Sequence, residues 1–214
     1  MWADLRYSAE MSKKFLGVPD VVPAVLAITQ LSEDTCGGLS TLIQTRNLFE
    51  GWWLGTLVAG FAGQPWSRDP GWDAANTDGA ELSMECTVEV TDRRLTYSRR
   101  TGSGAKRIDL AVKRGGPDTS GHLIELKLLD RGWSLKDQMP KLVKDAHALE
   151  ATAGWDDVVS GWLLVLAIRF ENEGEVISSL KEVFPNKRIG AIELHPVRVT
   201  APAGKVWLAG LRFA

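Results

Sequence analysis

Two carboxylates and an amine are set into a pair of apolar strand-like segments, Arg107-Ile108-Asp109-Leu110-Ala111-Val112 and His122-Leu123-Ile124-Glu125-Leu126-Lys127-Leu128-Leu129. Side chains alternate faces along a strand. Ile108, Leu110 and Val112 therefore share one face, as do Ile124, Leu126 and Leu128, while Asp109, Glu125 and Lys127 take the other. Clustered carboxylates repel and desolvated charges need partners, so a divalent cation suits such a group. Magnesium binds oxygen ligands, keeps several waters and needs only one or two protein carboxylates. Asp109 and Glu125 are the expected metal ligands, joined by the main-chain carbonyl of Leu126 between the two site-facing side chains. Lys127 then stands beside the attacking water and a phosphate, where it orients the nucleophile and stabilises developing charge. The competing reading is a solvated hairpin whose alternating Glu and Lys serve solubility.

An Asp on one strand of a hairpin followed by Glu-x-Lys on the next resembles the PD-(D/E)xK nuclease superfamily, which has the restriction-endonuclease-like fold. The resemblance spans about Glu81 to Phe184 and departs from the family name at Ile108, which stands where the proline would be. It implies a nuclease dependent on Mg2+ or Mn2+ that hydrolyses phosphodiester bonds in DNA, as an endonuclease of restriction, defence or repair type. It also implies an acidic residue from the helix before the sheet and a polar residue from the helix after Glu-x-Lys. Glu50 is the candidate for the first role, with Glu85 as its rival. Gln138 and Lys141, one turn apart, are candidates for the second, as contacts to a metal-bound water or a phosphate. Enzymes of this kind cut two strands by pairing sites, so a homodimer is expected. Two rivals are a noncatalytic nucleic-acid-binding or protein-interaction module of the same fold, and an interaction module in which Glu-x-Lys is incidental.

These residues need elements to hold them. Amphipathic helix is expected over Asp4–Leu16, a Pro-interrupted apolar helix over Val21–Leu31, a break at Cys36–Gly38 and a helix over about Ser40–Gly60 carrying Glu50. A Gly, Pro, Asp and Trp-rich loop follows from Gly63 to Gly79. A meander of strands is expected at Leu82–Val90, Arg94–Arg99, Lys106–Val112 and His122–Leu129. Ser134 with Asp137 reads as an N-cap signal for a helix to about Ala151, with Pro140 either making the first turn irregular or delaying the helix start. Val158–Ile168 reads as a strand buried on both faces, Glu173–Phe184 as a helix, and Arg188–Val199 and Lys205–Phe213 as closing strands. The fold class is therefore α/β (α+β), a mixed central sheet flanked by helices. An N-terminal helical portion, 1–75, packs on a core, 76–214, or the two form one continuous domain.

Composition narrows the rest. The 214 residues are 44% hydrophobic and 24% charged, those of an ordinary globular chain. A net charge of -2 provides no global attraction to nucleic acid, yet eight basic residues between Asp92 and Arg114 face only Asp92 and Asp109. Arg99, Arg100, Lys106 and Arg107 are the candidate phosphate contacts, against the reading of a charged, aggregation-resistant edge. Two cysteines and three scattered histidines make no zinc site. His147 reads as a helix-surface or packed histidine, and His122 as pointing to the core side away from Glu125. Among nine tryptophans, Trp133 is expected to pack in the core, with base stacking as the alternative. The N-terminus lacks the basic-then-apolar order of a signal peptide, and the apolar run Gly51–Ala62 is too short for a bilayer, so no membrane contact and a reducing cytoplasm are expected. A nucleophile elbow, a phosphate loop, a His-Glu-x-x-His helix and a dinucleotide-binding turn are all missing from the sequence.

Overall fold

A computed structural model describes residues 21–45, 49–63, 82–89, 96–98, 106–113, 121–152, 158–184, 192–199 and 205–213. The chain forms helices α1 (Val21–Cys36), α2 (Gly38–Thr45) and α3 (Phe49–Gly63), then strands β1 (Leu82–Glu89), β2 (Thr96–Ser98), β3 (Lys106–Lys113) and β4 (Gly121–Asp130). Helix α4 (Leu135–Thr152), β5 (Val158–Ile168), α5 (Glu173–Val183), β6 (Ile192–Val197) and β7 (Val206–Phe213) complete it. The expected helix over Asp4–Leu16 and nearly all of the loop from Gly63 to Gly79 lie outside the described residues.

The strands form one mixed sheet in the order β2-β1-β3-β4-β5-β7-β6. The meander β2-β1-β3-β4 is antiparallel, β5 lies parallel to β4 after the α4 crossover, and β7 and β6 return antiparallel. Alternation along β5 explains its central position. Leu164, Leu166 and Ile168 pack with the α1–α3 layer, while Leu163, Val165 and Ala167 pack with α4 and α5. A strand apolar on both faces has to lie between two layers. None of the described helices is long and apolar enough to cross a membrane.

Three local expectations need correction. Pro23 does not interrupt the first helix, because it stands at the third position of α1, where its missing N–H costs no helical bond. That helix continues past Leu31 to Cys36, and the stop is Gly37 at φ 59, whose N–H donates to the Glu33 carbonyl at 2.8 Å. The helix expected over Ser40–Gly60 is two helices, and Glu50 falls in the first turn of α3 rather than mid-helix, at a terminus whose dipole favours a carboxylate.

Candidate active site

Along β4, Leu123, Glu125, Lys127 and Leu129 share the face toward α4, so two charged residues stand at positions that core residues would otherwise fill. Leu123 and Leu129 are buried in the α4–α5 layer, whereas Ile124 and Leu126 are buried in the opposite one, with Leu128 packed against it. The strict alternation expected of β3 is not kept. Leu110 packs with the α1–α3 layer but Ile108 packs with the other. The cause lies in the sheet: β3 and β4 pair from Lys113↔Gly121 to Leu110↔Ile124 and then part, with β3 continuing along β1 to Lys106.

Asp109 is the first residue past that parting and stands level with Glu125. Its Oδ2 accepts the N–H of Leu126 at 2.8 Å, so a side chain satisfies a β4 donor where the ladder has ended. Glu125 is 3% exposed and hydrogen-bonded to Asp109. Burial first, then the Asp109 charge and hydrogen bond and the more distant Asp145, push the Glu125 carboxyl up to about 10 against the pull of Lys127. Without a cation, this pair of carboxyls holds a proton at neutral pH.

Lys127 is the hub. Its Nζ donates to the Leu126 carbonyl at 2.9 Å and lies 3.1 Å from Asp145 Oδ2, 3.7 Å from Asp109 Oδ2 and 3.9 Å from Glu50 Oε2. Burial works against its charge, but Asp109, Glu50, Asp145 and Glu125 together raise its pKa above the usual lysine value. Helix α3 thus reaches the site from one layer and α4 from the other, because the parted strands leave the sheet open between them. The half-exposed Glu50 has its carboxyl raised by burial and by Asp109 and Asp145, opposed by Lys127 and Lys141.

Asp145 was not among the residues singled out from the sequence. A signal existed, since Gln138, Lys141 and Asp145 follow at helical spacing on one stripe of α4. Gln138 takes a different place from the one expected. It is buried, its Oε1 accepts the Asp130 N–H at 2.8 Å, and its Nε2 donates to the carbonyls of Asp130 at 3.1 Å and of Trp133 and Ser134 at 3.3 Å. Its amide is committed to the β4–α4 turn and not to a water or phosphate. Lys141 is exposed on the wall of a cleft of about 590 Å3 that also takes in Glu50 and Lys127. Trp133 is not a core residue: it is 48% exposed on the rim of the same cleft.

The remaining candidates fall elsewhere. Glu85 lies on β1 between Met84↔Leu110 and Cys86↔Ile108, level with Asp109, but its side chain lies outside the described residues. Arg99 and Arg100 lie outside them altogether, as do the side chains of Lys106 and Arg107. His122 points to the α1–α3 side, where Nδ1 and Ser160 Oγ are 2.7 Å apart and burial with Arg212 lowers its pKa to about 4. Exposed His147 sits 3.4 Å from Glu150 on the surface of α4.

Among the described residues, no group of three or more His, Cys, Asp and Glu is arranged to hold a metal ion. A hard cation nevertheless fits the chemistry of the donors present. Asp109, the Leu126 carbonyl and a buried Glu125 carboxyl that must otherwise retain a proton are oxygen ligands of the kind magnesium accepts, with water completing the shell. No family model, curated protein or solved structure matches the chain.

Proposed function

We propose that the protein is a divalent-metal-dependent nuclease that hydrolyses phosphodiester bonds in DNA, an endonuclease on a restriction-endonuclease-like core. The observation that carries this reading is the parting of β3 and β4 at Asp109 and Glu125, with Lys127 held in the gap. Two further points support it. A helix, an antiparallel meander, a crossover helix and a parallel strand follow in the order that the PD-(D/E)xK resemblance implies. Placing a buried carboxyl beside a second one is costly, and a site that loads a cation recovers that cost.

Asp109, Glu125 and the Leu126 carbonyl would hold Mg2+ or Mn2+, which supplies Lewis-acid polarisation of the phosphate and a more acidic bound water. The chain's own residues do the rest. Lys127, whose charge Asp109, Glu50 and Asp145 favour, would work as a cation on the phosphate oxygens. Asp145, its nearest carboxylate, fixes where that ammonium stands. Glu50 faces Lys127 from the mouth of the cleft and orients water there.

A second reading rests on a specific contact. Lys127 already sits on the Leu126 carbonyl and beside Asp109, so an ammonium neutralises the cluster as a metal would. That favours a noncatalytic nucleic-acid-binding module. One experiment separates the two: supercoiled plasmid, linear duplex, single-stranded DNA and RNA are incubated with Mg2+ or Mn2+, beside EDTA and Lys127→Ala controls. Metal-dependent cutting lost in the variant is the expected result. Binding of nucleic acid with no cutting under any condition would establish the noncatalytic module.

A further inference from the structure

The cleft beside Lys127 is larger than an ion and its waters require. Its wall joins apolar Leu128, Leu142 and Ile168 to Trp133 at the rim and to Lys141 and Arg169. Trp133 leaves half its surface in water, although an indole contributes most when buried or stacked. Its backbone is nevertheless pinned. The Trp133 N–H donates to the Asp130 carbonyl at 3.0 Å, and its carbonyl accepts Gln138 Nε2.

Arg169 is fixed with equal care. It adopts φ 65, a conformation that L residues rarely take, and pairs with buried Asp130 at 3.3 Å. Gly132 permits this, since a Cβ there would meet Arg169 Nη1 at 2.6 Å and Asp130 Oδ1 at 3.1 Å. The rim is therefore preorganised before any ligand arrives.

We propose that this cleft is a subsite for one unpaired nucleobase stacked on Trp133, so that the substrate is single-stranded or locally unpaired DNA and not intact duplex. The inference deepens the nuclease reading and rests on it. A base in a duplex has both faces covered by its neighbours and must be flipped out, at a cost of a few kcal/mol, before it can meet an indole. A base in a single strand is free to do so, and stacking tolerates any sequence. The charges agree with this assignment. The lining is balanced in charge, Lys127, Lys141 and Arg169 against Glu50, Asp130 and Asp137, which suits a neutral base inside it, while Lys127 and Lys141 attract the flanking phosphates.

The test is fluorescence anisotropy with a labelled oligothymidylate and a duplex of equal length, with Ca2+ replacing Mg2+ so that the strand stays intact. Trp133→Ala is expected to weaken single-strand binding about tenfold to a hundredfold and leave duplex binding unchanged, with Trp133→Phe restoring most of the loss. A single abasic site walked along the strand should weaken wild-type binding at one position and have no effect on Trp133→Ala. Unchanged single-strand binding in Trp133→Ala, or duplex bound as tightly as single strand by the wild type, overturns the proposal. If plasmid cutting still depends on Lys127 in that event, the nuclease reading survives and the subsite alone falls. Failure to bind any DNA overturns both.

Discussion

Glu125 is where the physical tension of the site concentrates. Its folded pKa of about 10 lies far above the ordinary glutamate value of 4.5, so the folded state binds a proton that the unfolded state releases. The group's contribution to stability is thus fully present below about pH 4.5 and is lost progressively as pH rises toward 10. Glu125→Gln keeps a hydrogen-bonding group in place and removes that titration. Thermal melts in EDTA should place the variant several degrees above the wild type at pH 8 and close to it at pH 4. Added Mn2+ should raise the wild-type Tm more at pH 8 than at pH 5, because the ion must displace the proton, and should leave the variant almost unmoved. A wild type whose metal-free stability is flat from pH 5 to 9 would show that Glu125 does not carry the raised pKa.

At the scale of elements, the β4–α4 turn decides how precisely the site is held. Gln138 ties the end of β4 to the first turn of α4, and through α4 it sets the position of Asp145 against Lys127. Gln138→Ala leaves the buried Asp130 N–H without its acceptor, which costs about 1–3 kcal/mol, and each kcal/mol lowers Tm by about 2–4 °C in a chain of this size. Mn2+ affinity by calorimetry should be preserved at temperatures where the variant is folded. An unaltered Tm with lost metal affinity would return Gln138 to the direct role expected from sequence. That expectation came from the resemblance, which implies a polar residue on the helix after Glu-x-Lys, and polarity cannot distinguish a side chain that faces a ligand from one that satisfies a turn. The strands were easier to read, since β5 and Glu-x-Lys announce themselves by period and composition. Asp145 and Glu50 were harder, because their meeting at Lys127 depends on β3 leaving β4 after Leu110, and strand divergence has no signature in a single sequence.

At the scale of the whole molecule, the site exists only while both helical layers stay docked, since Glu50 comes from one and Asp145 from the other. The α1–α3 layer is held to the sheet at a point of close approach. Gly210 on β7 is buried under α1, where an added Cβ would overlap Val22 Cγ2 and touch the Trp162 ring at 3.4 Å. Trp162 has little room to yield, because its indole N–H donates to Ser160 Oγ at 2.7 Å and that hydroxyl also meets His122. Val22 is fully buried in the apolar cluster that also contains Leu39 and Trp53, so relief has to come from lifting α1. Gly210→Ala should therefore cost about 1–3 kcal/mol by overpacking, visible as a lowered Tm and as faster proteolysis within residues 21–63. Activity should fall by more than the unfolded fraction accounts for, because displacing α1 moves the helix that carries Glu50, whereas the strand that carries Glu125 and Lys127 stays in place. A companion Val22→Ala change removes the overlapping methyl groups. If the double variant does not regain stability relative to Gly210→Ala, the close packing of α1 on β7 is not what couples this layer to the sheet.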